Sequence, residues 1–194
     1  MVAVLPEPRL TSRQTYLRDA LVEMVLAEGF SRLTMDRVAA GLNCSKRTLY
    51  ALAASKEQLA VLAVRHFFMR ATEQVEAAIA GTRNPVRRVT RYLEAVAEAL
   101  RPASRAFRDD LAHFPPGAEL YEQNTVAAAH RVRELIDEGI RDGTFRRVPA
   151  QFVSEVVTAT MRRITSGEIA ASTGLSDAEA YAELARLVVA AIRR

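Results

Sequence analysis

The fold is decided by the stretch TMDRVAAGLNCSKRTLYALAASKE, which spans residues 34–57. Thr34 is a favourable N-cap and predicts a short helix over about residues 35–41, which ends in a glycine-containing turn. Ser45 caps a second short helix over residues 46–50. Two short helices joined by such a turn form the helix-turn-helix arrangement, so this stretch predicts that motif.

Helix signals continue on both sides of the motif. Ala, Leu, Arg and Glu dominate, and no alternating apolar pattern is long enough to indicate a strand. Glycine and proline residues divide the chain into segments with helical spacing of apolar residues. We therefore predict an all-α fold of about nine helices, at about residues 12–28, 35–41, 46–50, 55–80, 85–100, 104–113, 118–142, 149–172 and 177–192.

The positive charge of the chain is concentrated near its N-terminus. The net charge is +4, and residues 1–56 contain eight Lys or Arg against five Asp or Glu. This excess favours a polyanionic partner for the first third of the chain. Pro6 and Pro8 predict that residues 1–10 are disordered.

Other bulk features narrow the class of protein. No apolar run approaches the ~20 residues of a membrane span, and the first residues lack the pattern of a signal peptide. The one cysteine, Cys44, excludes an internal disulfide and a cysteine-cluster metal site. We expect a cytoplasmic protein without membrane contact. For Cys44 itself, packing in the turn is the ordinary role and a redox switch is the alternative.

The second short helix has the side chains that a DNA-reading helix needs. Lys46 and Arg47 supply cations for phosphate or guanine, and the small hydroxyl groups beside them allow close approach to base edges. The starts of two neighbouring helices offer N–H groups to further phosphates. The candidate contacts are Ser45, Lys46, Arg47, Thr48 and Tyr50, with Thr34 and Lys56 at the two helix starts.

A longer pattern surrounds the motif and extends over about residues 11–62. It consists of Arg13, Tyr16-Leu17, Ala20, Met24, Glu28-Gly29-Phe30, Thr34, Val38-Ala39, Ser45, Thr48-Leu49-Tyr50 and Ser55-Lys56-Glu57. In this order and spacing the pattern resembles the TetR family of bacterial transcriptional repressors. Residues 139–143, followed by Val148-Pro149, also resemble that family's link to its last two helices.

The resemblance implies a function and a division of the chain. Residues 1–56 are expected to form the DNA-binding domain, and residues 57–194 a helical domain for ligand binding and dimerisation. A homodimer would bind a palindromic operator in double-stranded DNA and be released by a small, largely apolar inducer. Carried over by position, the residues that face DNA are Thr34, Arg37, Ser45, Lys46, Arg47, Thr48, Tyr50 and Lys56.

Two further groups of candidates follow from the expected C-terminal domain. Aromatic residues cluster in the helices in which the family holds its ligand, and they suit an apolar pocket. The pocket candidates are Phe67, Tyr92, Phe107, His113, Phe114, Tyr121 and Met161. The apolar faces of the last two helices suit a helix-bundle dimer interface. The interface candidates are Phe152, Val156, Thr160, Ile164, Leu184, Leu187, Val188 and Ala191.

The pattern departs from the family after Tyr50. The family has polar or aromatic residues there, then Phe and often Pro, whereas this chain has alanines and one leucine over residues 51–54. The departure supports an alternative: a helical ligand-sensing or interaction protein whose helix-turn-helix has lost DNA binding. No catalytic motif and no metal-ligand spacing occurs, so we expect neither an enzyme nor a bound cofactor or metal.

Overall fold

A computed structural model describes residues 11–194, and its regular elements within that range are ten α-helices. The all-α prediction is confirmed, while the predicted disorder of residues 1–10 lies outside the described residues. None of the described helices is both long and apolar enough to cross a membrane. The helices are α1 (Ser12–Glu28), α2 (Met35–Gly41), α3 (Lys46–Tyr50), α4 (Lys56–Ile79), α5 (Pro85–Leu100), α6 (Arg105–Ala112), α7 (Pro115–Arg141), α8 (Ala150–Thr165), α9 (Glu168–Thr173) and α10 (Asp177–Ile192).

Two of the predicted helix boundaries are wrong. The helix expected at about residues 118–142 already begins at Pro115, because the first turn of a helix needs no N–H donor and accepts proline. The single helix expected at about residues 149–172 is two helices, α8 and α9. Gly167 separates them with a φ of 81°, a left-handed conformation that interrupts the helix.

The chain divides into two compact units. The first contains the described residues up to Arg70 together with Pro102–Gln123, and the second contains Ala71–Arg101 together with Asn124–Arg194. This division describes packing. The functional division expected after residue 56 stays a prediction.

In the first unit, α1 presents one apolar face to the interior. Leu17, Leu21 and Val25 recur at helical spacing and are buried. Helix α6 packs on α1, and the Ser104 N–H at its N-cap donates to the Leu26 carbonyl over 2.9 Å. The end of α1 is therefore fixed against Ser104, which lies 78 positions after Leu26 in the chain.

In the second unit, α10 packs on α5 and α8. Tyr181 of α10 and Tyr92 of α5 lie in this core. Burial raises the pKa of Tyr92, and the nearby Glu76 carboxylate raises it further. The Arg131 guanidinium donates to Glu76 over 2.8 Å and to Glu134 over 2.9 Å, which joins α4 to α7 within this unit.

The loop after α7 folds back onto that helix. The Phe145 N–H donates to the Gly139 carbonyl over 2.9 Å, and the Phe145 ring is fully buried. The neighbouring Arg146 N–H donates to the Ile192 carbonyl over 2.9 Å. These bonds fix both the start of the α7–α8 connection and the end of α10.

Gly139→Ala tests the contact between α7 and Phe145. A Cβ at position 139 would lie 2.2 Å from the Phe145 ring. Overpacking costs about 1–3 kcal/mol, more than the ~1 kcal/mol by which alanine is favoured over glycine in a helix. We expect a free energy of unfolding in urea lower by about 1 kcal/mol, partly restored by adding Phe145→Leu. Unchanged or higher stability of Gly139→Ala would contradict this packing.

Candidate nucleic-acid interface

The helix-turn-helix forms with the helix bounds that its sequence predicts. The Thr34 hydroxyl accepts the Arg37 N–H over 3.2 Å and caps α2. The turn after α2 uses Asn43, whose φ of 47° is left-handed, and the Cys44 N–H donates to the Ala39 carbonyl over 2.9 Å. These local bonds set the angle at which the chain enters α3.

Ser45 caps α3, as predicted. Its hydroxyl oxygen accepts the Thr48 N–H over 3.1 Å, and the hydroxyl groups of Ser45 and Thr48 lie 2.8 Å apart. Both hydroxyl groups are therefore already hydrogen-bonded to one another at the N-terminal end of the helix.

One side of the motif is buried in the first unit. Leu49 is the buried residue of α3, and Val38 and Ala39 are those of α2. Ala53 is also buried, and its N–H donates to the Leu49 carbonyl over 3.0 Å. A small side chain thus occupies the position where the family has an aromatic one.

The eight predicted DNA contacts all belong to the first unit. Thr48 and Lys56 are half-buried, and the other six are exposed. Tyr50 is 52 % exposed. The helix-turn-helix therefore leaves the expected reading side chains accessible.

Two of the cations on this surface have carboxylate partners that sequence reasoning missed. Lys46 Nζ lies 2.5 Å from Asp36 Oδ1, and Arg37 Nη2 lies 2.5 Å from Glu28 Oε2. The hydrogen bond that Lys46 donates to the Asp36 carboxylate raises the pKa of Lys46, and the charge of the carboxylate raises it further. No ion pair joins Arg47 to any carboxylate within residues 11–194.

Lys56 contacts the turn that precedes α2. Its Nζ donates to the Ser31 carbonyl over 3.4 Å, a long hydrogen bond. The Phe30 and Ser31 N–H groups in the same turn donate to the Asp110 carboxylate of α6. No local sequence signal marks Asp110, because its partners are about 80 residues away.

The pocket candidates fall into two separate groups. Phe67, Phe107, His113, Phe114 and Tyr121 belong to the first unit, whereas Tyr92 and Met161 belong to the core of the second. In the first unit the Phe67 and Phe107 ring centroids lie 5.7 Å apart, and Phe30 packs edge-on against Phe107 and Phe114. His113 is exposed, and its Nδ1 lies 2.7 Å from the Asp109 carbonyl.

All eight interface candidates line one groove of the second unit, formed by α8, α10 and the segments beside them. The groove has a volume of about 620 Å³. Phe152, Val156 and Leu187 are exposed large apolar side chains along it. These side chains make the surface of the groove apolar.

Other candidate chemistry is limited. Among the described residues, no group of three or more His, Cys, Asp or Glu is placed to hold a metal ion. Cys44 is a free, half-buried thiol in the turn before α3.

Part of the first unit matches a known family by sequence. Residues 17–63 match the family model described as "Bacterial regulatory proteins, tetR family". No curated protein matches the chain by sequence.

Solved structures share the fold over nearly the whole chain. A TetR transcription regulator from Haloarcula marismortui is 17 % identical, with a TM-score of 0.78 over 95 % of this chain and 100 % of its own. The fatty acid degradation regulator FadR from Bacillus halodurans is 12 % identical, with a TM-score of 0.72 over 93 % and 96 %. A chain from Saccharomonospora viridis, described as a transcriptional regulator in complex with choline, is 15 % identical, with a TM-score of 0.77 over 93 % and 97 %.

The described residues combine a helix-turn-helix with a helical C-terminal region. Residues 17–63 have the N-terminal sequence pattern of the TetR family, and the chain has the fold of TetR-family transcriptional regulators. The resemblance found from residues 11–62 is thereby confirmed.

Proposed function

We propose that the protein is a cytoplasmic transcriptional repressor that binds a palindromic DNA operator as a homodimer and is released by a small, largely apolar ligand. Residues 1–56 bind DNA, and residues 57–194 bind the ligand and form the dimer. The observation that carries the proposal is the exposure of Lys46, Arg47 and Tyr50 on a capped helix of a TetR-family domain.

The DNA-reading element of this proposal is α3. In a two-fold dimer its two copies enter successive major grooves, roughly 34–36 Å apart along the duplex. Lys46 and Arg47 bind phosphate or guanine, while Arg37 and Lys56 bind phosphates. Thr34, Ser45, Thr48 and Tyr50 supply hydroxyl groups to the same surface.

The dimer interface of this proposal is the groove of the second unit. Phe152 and Leu187 are 67 % and 68 % exposed there, which costs free energy in water and favours burial against a second copy. The opposed α8 and α10 helices of two subunits would form a four-helix bundle. A two-fold axis brings the same groove from each subunit together, so one patch serves both sides of the contact.

The ligand site is proposed from side-chain chemistry. The seven candidates, five in the first unit and two in the core of the second, are mostly aromatic, which favours an apolar ligand in either group. The choline complex of the Saccharomonospora viridis chain and the role of the Bacillus halodurans regulator in fatty acid degradation support a small organic ligand for a protein of this fold. A ligand that binds better to a dimer with the wrong helix spacing would lower operator affinity.

Lys46→Ala with Arg47→Ala tests the reading helix. Each lost contact to a phosphate or base edge weakens binding, so we expect operator affinity to fall by about 100-fold. Fluorescence anisotropy with a duplex that the wild type selects from a random pool measures the change. The control is Arg101→Ala with Arg105→Ala, which removes the same charge outside residues 34–56.

If the Lys46/Arg47 variant binds the operator as tightly as the wild type, α3 is not the DNA-reading helix. A wild-type dimer that selects no DNA would instead favour the alternative, a ligand-sensing protein that has lost DNA binding.

Asp36→Asn tests the ion pair on the reading surface. Because Lys46 must leave Asp36 to bind a phosphate, removal of the carboxylate should tighten DNA binding about two- to fivefold. Glu23→Gln is the matched control, since it removes the same charge from the ion pair between Glu23 and Arg70 in the same unit. Weaker DNA binding by Asp36→Asn would show that the carboxylate holds Lys46 in its binding position instead.

Leu187→Glu tests the groove as a dimer interface. Burying a carboxylate in an apolar contact is unfavourable, so we expect a folded monomer in analytical ultracentrifugation. Ala178→Glu adds the same side chain at an exposed position of α10 outside the groove and should leave the dimer intact. A Leu187→Glu dimer as tight as the wild type would place the interface elsewhere.

A further inference from the structure

The turn between α1 and α2 is held from outside the helix-turn-helix. The Phe30 N–H donates to Asp110 Oδ2 over 2.6 Å, and the Ser31 N–H donates to the same oxygen over 2.8 Å. The second distance is typical of a charge-assisted hydrogen bond, and the first is slightly shorter. A single carboxylate oxygen from α6 thus satisfies two successive backbone donors of this turn.

The contact is built closely into the backbone. Gly29 ends α1 with a φ of 75°, and a Cβ there would lie 2.4 Å from Asp110 Oδ2 and 3.2 Å from the backbone of Ala106. Only glycine fits both the left-handed conformation and this approach of α6. The turn and α6 therefore form one packed structure.

Apolar contacts support the same placement. The Phe30 ring meets the Phe107 ring edge-on at 6.1 Å and the Phe114 ring edge-on at 5.2 Å. The Ser104 N–H, at the N-cap of α6, donates to the Leu26 carbonyl near the end of α1. The turn is thus held by aromatic packing, by a backbone hydrogen bond and by the charged carboxylate of Asp110.

Asp110 accepts these bonds as a carboxylate. Partial burial opposes its ionisation, but the hydrogen bonds from Ser31 and Phe30 outweigh that effect and lower its pKa from the ordinary value of 3.8. At neutral pH the acceptor is therefore charged, and its hydrogen bonds are stronger than those of a neutral amide oxygen would be.

The held turn leads directly to proposed DNA contacts. Thr34, the N-cap of α2, follows Ser31 by three residues. The backbone of Ser31 also contacts Lys56, because its carbonyl accepts a hydrogen bond from Lys56 Nζ. Ser31 therefore connects Asp110, through its N–H group, to Lys56, through its carbonyl group. A shift of this turn would move Thr34 and release Lys56 together.

We propose that Asp110 is a positioning residue for DNA binding, which acts through the backbone of Phe30 and Ser31 to place Thr34, α2 and Lys56. The inference rests on the proposed function and extends the DNA-binding machinery to a residue of α6. Asp110 lies more than 50 residues beyond the helix-turn-helix in sequence, and it contributes no cation to the reading surface.

The test compares Asp110→Asn with Asp109→Asn in the full-length protein. Asp109 is the adjacent, exposed carboxylate of α6, so the control makes the same charge change on the same helix. DNA affinity is measured by anisotropy with the duplex selected by the wild type, between about 0.05 and 0.3 M KCl. Hydrogen exchange followed by NMR reports the Phe30 and Ser31 amides directly.

For Asp110→Asn we expect about 10-fold weaker DNA binding and exchange of the two amides about 10-fold faster or more, because charged acceptors are lost. The slope of affinity against salt should become shallower by about one phosphate contact per subunit, since the displaced Lys56 no longer reaches its phosphate. Asp109→Asn should change neither quantity.

Equal DNA affinity of Asp110→Asn and wild type, with the variant folded, would overturn the positioning role while the proposed function stands. A wild type that binds no DNA would overturn both. If Asp110→Asn does not fold, Asp110→Glu tests the positioning role instead. That variant keeps the charge but displaces the carboxylate by one methylene, so it should bind several-fold more weakly than the wild type, and equal binding would overturn the role.

Discussion

The reading surface depends on the burial of Leu49. Helix α3 has five residues, too few to be stable in isolation, and Leu49 is the side chain that fixes it to the first unit. Because Leu49 points inward, its neighbours along the helix are left at the surface, where Lys46, Arg47 and Tyr50 are exposed. The Ser45 cap and the Cys44–Ala39 hydrogen bond then set where the helix begins.

The local features of the motif were predictable because their causes lie within a few residues. Thr34 and Ser45 cap the next turn of chain, and the bounds of α2 and α3 follow from them. The split between α8 and α9 was missed because apolar spacing continues across Gly167, whose left-handed φ interrupts the helix. The early start of α7 was missed because two prolines were interpreted as a helix break.

The sequence predicted the cations of the candidate site, but it did not predict the carboxylates that pair with them. Lys46 and Arg37 belong to the motif, but their pairing with Asp36 and Glu28 depends on side-chain geometry between helices. The Asp110 contact joins residues about 80 positions apart, and neither helical spacing of apolar residues nor a capping residue in the sequence predicts it. The net charge indicates a basic surface, but Asp36 and Glu28 on this surface pair with two of its cations.

In the proposed function, the exposed cations of α3 and its neighbours bind DNA. The most direct measurement is the salt dependence of wild-type binding to its selected duplex, by anisotropy. Release of about 0.9 cation per neutralised phosphate predicts a linear fall of log K against log [KCl], with a slope of about −4 to −7 for a dimer. No binding at low salt, or binding that does not change with salt, would contradict DNA binding by these cations.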